Sequence, residues 1–226
     1  SVLGLDEARV VLGHAGFFGG IVERLDLDAD AVTALRTLVD RRQATAVEAF
    51  MAPHAPAADC SAFARLIGLA GSRTVLDEAR ALVSNPRSVS ALEQLEVVLS
   101  TLESLGLDQL VSIDLGEVAG FDYYTGMTFS IYAPGWGLPI GGGGRYDALL
   151  AHFGTDEPAV GFSLSLDWLA GALAARGLDT ERRSTPSSIP LQAGADLGSL
   201  FGEAKRLRSE GLTVTIIPAV AEESVP

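Results

Sequence analysis

The sequence predicts an α+β fold, an antiparallel sheet flanked by helices, and three observations carry that expectation. Between Met127 and Tyr132, apolar Met127, Phe129 and Ile131 alternate with Thr128, Ser130 and Tyr132, the period of a strand with one buried face. The turn Pro134-Gly-Trp-Gly137 follows at once and Leu138-Pro-Ile140 begins the return, so the two segments make a hairpin, which requires antiparallel neighbours. Upstream, Leu92, Leu95, Val98, Leu99, Leu102 and Leu105 recur at helical spacing, so a block of helices separates two strand regions.

In chain order, residues 7–13 read as a short strand, and His14-Ala-Gly-Phe-Phe-Gly-Gly leads into a helix through about Leu25. Asp28 or Asp30 caps the next helix, expected to run to about Phe50 with Val32, Leu35, Leu38 and Val39 on one face. Met51–Pro56 is a loop, because Ala-Pro-His-Ala-Pro cannot hold a helix. Asp59 or Ser61 starts a helix to Ala70, Ser72 or Thr74 another to Val83, and Asn85-Pro86 breaks the chain. Ser88 is expected to open the last helix of the block, which Gly106 closes. A strand over 110–115 precedes the hairpin. Beyond it come a short helix from Arg145 to Phe153, a strand from Ala159 to Ser165 and a helix from Leu166 to Arg176. Residues 177–188 read as a linker. Ile189-Pro-Leu-Gln, a helix over 197–209 and Leu212-Thr-Val-Thr-Ile-Ile217 resemble one βαβ unit.

Composition narrows the function classes. With 226 residues, 48% of them hydrophobic, the chain is long enough to bury one large core. No apolar run approaches the length of about 18 residues that a membrane span needs, so no membrane partner is expected. The N-terminal Ser1-Val-Leu-Gly-Leu lacks the pattern of a signal peptide. A single cysteine, Cys60, excludes an internal disulfide and a cysteine-rich zinc site and fits a reducing cytoplasm. With 16 basic against 29 acidic residues the net charge is −13, so most of the surface repels a polyanion.

Three stretches invite a chemical reading. Asp122-Tyr-Tyr124 follows a glycine at the mouth of an apolar strand. On extended backbone the adjacent tyrosines face opposite ways, one toward a pocket and one into the core. The stretch is then either a phenol wall with an acid that holds an ammonium, or a satisfied turn with core aromatics. The four glycines Gly141–Gly144 fit neither a P-loop nor a dinucleotide fingerprint. They permit close backbone approach, or they mark a strand bulge. Arg145 and Asp147 make a cation–carboxylate pair that is either structural or part of a site. Glu117 and Asp122 are near in sequence with nothing that pairs them. His14, His54 and His152 have no metal-ligand spacing, and a packing role is expected for His14. No catalytic triad, metal site or cofactor motif stands out.

Taken together and in this order, Val118-Ala-Gly-Phe-Asp-Tyr-Tyr-Thr, Gly142-Gly-Gly-Arg-Tyr-Asp147 and Pro158-Ala-Val-Gly-Phe-Ser-Leu-Ser-Leu-Asp-Trp168 resemble the two histidine-recognition motifs and motif 3 of the class II histidyl-tRNA synthetase family. The resemblance implies the class II synthetase-like antiparallel sheet. It divides the chain into core (1–27), helical insertion (28–106), core with the pocket motifs (107–177), linker (178–188) and a partial βαβ tail (189–226). It implies a histidine pocket walled by Tyr123 and Tyr124 and floored by Gly142, Gly143, Gly144, Arg145 and Tyr146, with Asp122 and Asp147 holding the loops.

Two departures bear on activity. The first motif of the synthetases carries an arginine before the glycine, where this chain has Ala119. Their motif 3 carries a phosphate-holding arginine, where this chain has Trp168. Adenylate formation leans on such cationic clamps, and losing both is expected to cost on the order of 10³-fold or more in rate. A histidine-shaped pocket without catalytic arginines resembles the regulatory-subunit branch of the family, which partners a short-form catalytic ATP phosphoribosyltransferase. That likeness implies a non-catalytic chain with histidine as effector, no cofactor, no tRNA, and self-association of the full-length protein. The alternative is a histidyl-tRNA synthetase catalytic-core fragment. Class II motifs 1 and 2 are expected before Ser1, in a longer protein.

Overall fold

The computed structural model describes residues 5, 7–55, 60, 63–65, 67–118, 123–178, 186–191 and 196–218. The strands of the main sheet are β1 (Arg9–His14), β2 (Ala70–Gly71), β3 (Val111–Asp114), β4 (Met127–Tyr132), β5 (Pro139–Arg145) and β6 (Val160–Leu164). They form one six-stranded sheet in the order β2-β3-β1-β4-β5-β6. Every pairing is antiparallel except β1 with β3, which run parallel because the whole helical block intervenes between them.

One face of this sheet is apolar by alternation. Leu12 pairs with Ile113 on one side and with Phe129 on the other, and all three belong to one cluster with Phe17 of α1 (Ala15–Val22). Leu92, Leu95 and Leu99 of the long helix complete that cluster. Each fully buried leucine of this kind contributes roughly 1.5–3 kcal/mol relative to exposure, so the long helix is fixed by its packing. Phe18, on the other side of α1, joins a second cluster with Leu35 and Val39 of α2 (Ala29–Asp40) and Val47 and Met51 of α3 (Ala44–Met51). A third cluster packs Ala133 and Ile140 of the β4–β5 hairpin region against Ala172 and Leu173 of the helix that follows β6.

The helix expected from about residue 28 to Phe50 is two helices. Arg42 takes a left-handed φ of 56°, which ends α2 after Asp40. Its guanidinium reaches the Ile67 carbonyl and, at 2.5 Å, the Asp114 carboxylate, and these contacts hold the break. Asp28, not Asp30, caps α2, accepting from Ala31 N at 2.8 Å. Ala70, expected to end a helix, is in β2 instead, where it pairs with Asp114. Cys60 and residues 63–65 of that expected helix are helical, whereas its proposed starts, Asp59 and Ser61, lie outside the described residues.

The next helix, α4, spans Thr74–Leu82, and the long helix, α5, spans Pro86–Ser104. Asn85 caps α5 by accepting from Ser88 N at 2.7 Å, so Pro86 occupies the first turn, where its missing N–H costs nothing. Ser88, expected as the cap, is buried two residues further in and donates to the Phe17 carbonyl at 2.7 Å, tying α5 to α1. Residues 70–104 lie within the span expected as an insertion, and they supply the edge strand and the helix that packs across the sheet.

Arg145 ends β5 rather than starting a helix, and the expected helix there is a 3-10 turn at Leu150–Phe153. Helix α6 (Leu166–Ala175) begins at the Ser165 cap. The tail forms β7 (Pro186–Leu191), α7 (Leu197–Ser209) and β8 (Thr213–Pro218), a parallel pair joined by a helix; β7 starts at Pro186, so residues 186–188, expected in the linker, are strand paired with β8. No helix among the described residues is long and apolar enough to cross a membrane.

Candidate functional site

Strand register places small residues in two rows across the face of the sheet away from α1 and α5. Gly13 pairs with Thr128, Thr128 with Gly144, and Gly144 with Gly161. One step along, Ser130 pairs with Gly142, and Gly142 with Ser163. Cross-strand partners share a face, so across β4, β5 and β6 neither row raises a bulky side chain above the sheet, and Val11 of β1 borders the second row. The result is a cleft of about 330 Å³, lined by Thr128, Ser130, Gly142, Gly143, Ser163 and Ser165, with Glu117 and Tyr124 on one flank and Trp168 on another.

The glycines are required by proximity. A Cβ on Gly144 would stand 2.5 Å from the Met127 carbonyl and 2.8 Å from the Tyr124 ring, and one on Gly161 would strike the Tyr146 hydroxyl. Bare backbone at this cross-strand pair is therefore what lets two tyrosine rings lie against the sheet. The glycine run is regular strand, and the irregularity in pairing falls one step earlier, between Ile131 and Tyr132, opposite the stretch containing Ile140.

Tyr123 and Tyr124 do not point to opposite faces. Residue 123 is in a turn, and the two rings meet at 4.7 Å between centroids. Tyr146 closes the group, 5.4 Å from Tyr123 in an edge-to-face contact and 6.3 Å from Tyr124. Such pairs contribute about 0.5–1.5 kcal/mol beyond area burial. Burial, reinforced by Tyr123 and by Tyr146, pushes the Tyr124 phenol up to about 12. It therefore stays protonated at physiological pH, with its hydroxyl hydrogen-bonded to Tyr123.

The loop that carries the tyrosines is stitched to the end of β5. Thr125 N donates to the Arg145 carbonyl at 2.9 Å, and Asp147 N donates to Thr125 Oγ1 at 2.9 Å. Asp147 also accepts from Arg145 Nε at 2.8 and 2.9 Å. Arg145 turns away from the cleft, and its side chain lines a second cavity of about 340 Å³ with Gln94, Val97 and Met127. Tyr124, Gly142 and Gly143 line the cleft, and Gly144 lies beneath the Tyr124 ring. Tyr146 contacts the cleft through Tyr124, and Trp168 lines it from the first turn of α6 while remaining 40% exposed. Asp122 and Ala119 lie outside the described residues.

Sequence reasoning missed Glu117, Thr128, Ser130, Ser163 and Ser165. Ser130 Oγ donates to Glu117 Oε1 at 2.5 Å. Burial lifts the Glu117 carboxyl above its ordinary range, the Ser130 bond draws it back, Asp114 raises it and Arg42 lowers it. The alternation that identified β4 already placed Thr128 and Ser130 on the face away from the core, which was the available signal. His14 is behind the sheet, buried, with Nδ1 accepting from Gly16 N at 3.0 Å and Nε2 3.2 Å from Gln94 Oε1.

The model of the histidyl-tRNA synthetase family matches residues 1–169. A curated protein of Moorella thermoacetica, called an ATP phosphoribosyltransferase regulatory subunit, is 36% identical over 94% of this chain and 54% of its own length. One of Syntrophotalea carbinolica with the same name is 35% identical over 92% of this chain and 49% of its own. A crystal structure from Bacillus halodurans, described as an ATP phosphoribosyltransferase regulatory subunit/histidyl-tRNA synthetase, superposes with a TM-score of 0.69 at 26% identity, covering 98% of this chain and 56% of that one. The chain spans about half the length of the curated relatives it matches.

Proposed function

The chain belongs to the histidyl-tRNA synthetase family, and on that premise we propose that the whole protein is a non-catalytic regulatory subunit of ATP phosphoribosyltransferase, acting in the first step of histidine biosynthesis. Its partner is the short-form catalytic subunit, which it activates. Histidine is the effector, the full-length protein self-associates, tRNA is not a ligand, and the assembly is cytoplasmic. The observation that carries this reading is the charge of the cleft. No lysine or arginine is among the described residues that line it, and an indole, Trp168, stands where the resemblance implies a phosphate-holding arginine. Phosphoryl chemistry depends on cations placed against the developing charge, so this cleft is suited to binding and not to adenylation. The names of the curated relatives from Moorella thermoacetica and Syntrophotalea carbinolica support the same reading.

The histidine pocket is the cleft itself, with Tyr124 as donor and the Gly142–Gly143 backbone as floor. Arg145 and Asp147 hold the tyrosine loop from outside it. Feedback then requires that histidine bind one assembly state better than another.

A second reading, histidyl-tRNA synthetase, is favoured by the family match over residues 1–169. The two separate in one assay of the intact protein, histidine-dependent exchange of pyrophosphate into ATP. The regulatory reading expects no exchange above a control without histidine, and exchange at a synthetase rate would replace it with the second.

A further inference from the structure

Resting on the reading of the cleft as a histidine pocket, we infer that Glu117 makes it selective for a ligand ammonium and indifferent to a carboxylate. Among the described residues that line the cleft, Glu117 alone carries a formal charge. Its carboxyl is held toward the floor by Ser130 Oγ at 2.5 Å, and that serine shares a row with Gly142 and Ser163, the open part of the cleft. Glu117 is half-buried, and a carboxylate partly removed from water gains from a cationic partner. Arg42, the cation closest to it in effect, is engaged with the Ile67 carbonyl and with Asp114. A ligand ammonium entering the cleft supplies the cation that the Ser130 hydroxyl does not. A ligand carboxylate finds no cation among the described lining residues, so it adds nothing to affinity there.

The surroundings of Glu117 support this. Asp114 of β3 and Asp40 at the end of α2 face it with like charge, Tyr132 of β4 senses it, and Arg42 only partly offsets them. The carboxyl is lifted from its ordinary value, with burial the largest cause. Above the unfolded value, the folded state holds this proton more tightly than the unfolded state does. The stability this group contributes therefore falls as pH rises toward the lifted value, and at neutral pH its charge is a cost to folding. A group kept at a cost to stability inside a binding cleft is the pattern of a functional residue.

The test is calorimetric titration of the intact protein, wild type and Glu117→Gln and Glu117→Asp, with three probes. These are histidine, histamine (imidazole and ammonium, no carboxylate) and imidazolepropionate (imidazole and carboxylate, no ammonium). Wild type is expected to bind histidine and histamine with similar affinity and imidazolepropionate about tenfold or more weakly, the scale of one charge-assisted bond. Glu117→Gln is expected to lose about tenfold or more for the two amines with an unchanged or higher Tm, and Glu117→Asp to recover part of it. Equal histidine affinity in wild type and Glu117→Gln, or preference for imidazolepropionate, overturns the inference and leaves the pocket reading standing. Histamine binding that depends on Glu117 without histidine binding keeps the cation site and removes the histidine pocket. No binding by any probe removes both.

Discussion

At the scale of the residue, the cleft depends on a few atoms whose removal has computable consequences. Tyr124 remains a phenol far above neutral pH, so its hydroxyl is a donor that Tyr124→Phe deletes while keeping the ring against Gly144. Histidine affinity is expected to fall about 3- to 10-fold by calorimetry, the value of one neutral hydrogen bond, and unchanged affinity would remove Tyr124 from the pocket. Gly144→Ala puts a methyl against the Tyr124 ring and the Met127 carbonyl, and a loss of roughly 1–3 kcal/mol in denaturant unfolding is expected. His14 carries a different signature. Burial holds its pKa below the ordinary value of 6.5, so it is neutral in the fold and accepts from Gly16 N. Its contribution is present above pH 6.5 and is lost as pH falls toward the lowered value, because the unfolded chain takes up the proton first. Tm is therefore expected to drop more steeply below pH 6.5 in wild type than in His14→Asn, whose side chain can still cap α1. Parallel Tm–pH curves for the two would show that His14 does not titrate in unfolding. Of these residues the sequence exposed the tyrosines and the glycines. It concealed Glu117, whose neighbour Ser130 is 13 positions away and meets it only once β4 is paired.

At the scale of the element, period and caps were legible where burial and local chemistry agree. The strands of the hairpin, the helix behind Ser165 and the parallel βαβ tail follow from alternation, turn residues and length. The breaks in the helical block do not. Arg42 ends α2 in a left-handed conformation that a β-branched or glycine signal would not announce, and it is held there by a carbonyl 25 positions away and a carboxylate 72 positions away. The start of α5 differs from expectation for a related reason, since Ser88 and Asn85 are both good caps, and the Asn85 bond to Ser88 N, Pro86 in the first turn and the buried bond from Ser88 to Phe17 decide for Asn85. Asn85→Ala is expected to cost about 1 kcal/mol and to lower Tm by about 2–4 °C, as a lost cap does in a chain of this size. A Tm equal to wild type would mean that Pro86 and tertiary packing fix the helix start without the cap.

At the scale of the whole molecule, the proposed binding role rests on charge and on strand pairing. A surface of net charge −13 disfavours a polyanion, and the cleft holds an acid, phenol and indole with no cation among its described lining. Two rows of small residues, drawn from β1, β4, β5 and β6, make that cleft only when the strands stand side by side, which is why a run of glycines with no motif spacing turned out to be its floor. On the proposed function, this architecture regulates a partner rather than activating an amino acid. The decisive measurement is the rate of phosphoribosyl-ATP formation by the short-form catalytic subunit of the same organism, mixed with the intact protein while histidine is raised. The protein is expected to increase the rate, and histidine then to suppress it. A rate untouched by the protein at every histidine concentration would contradict the proposed function.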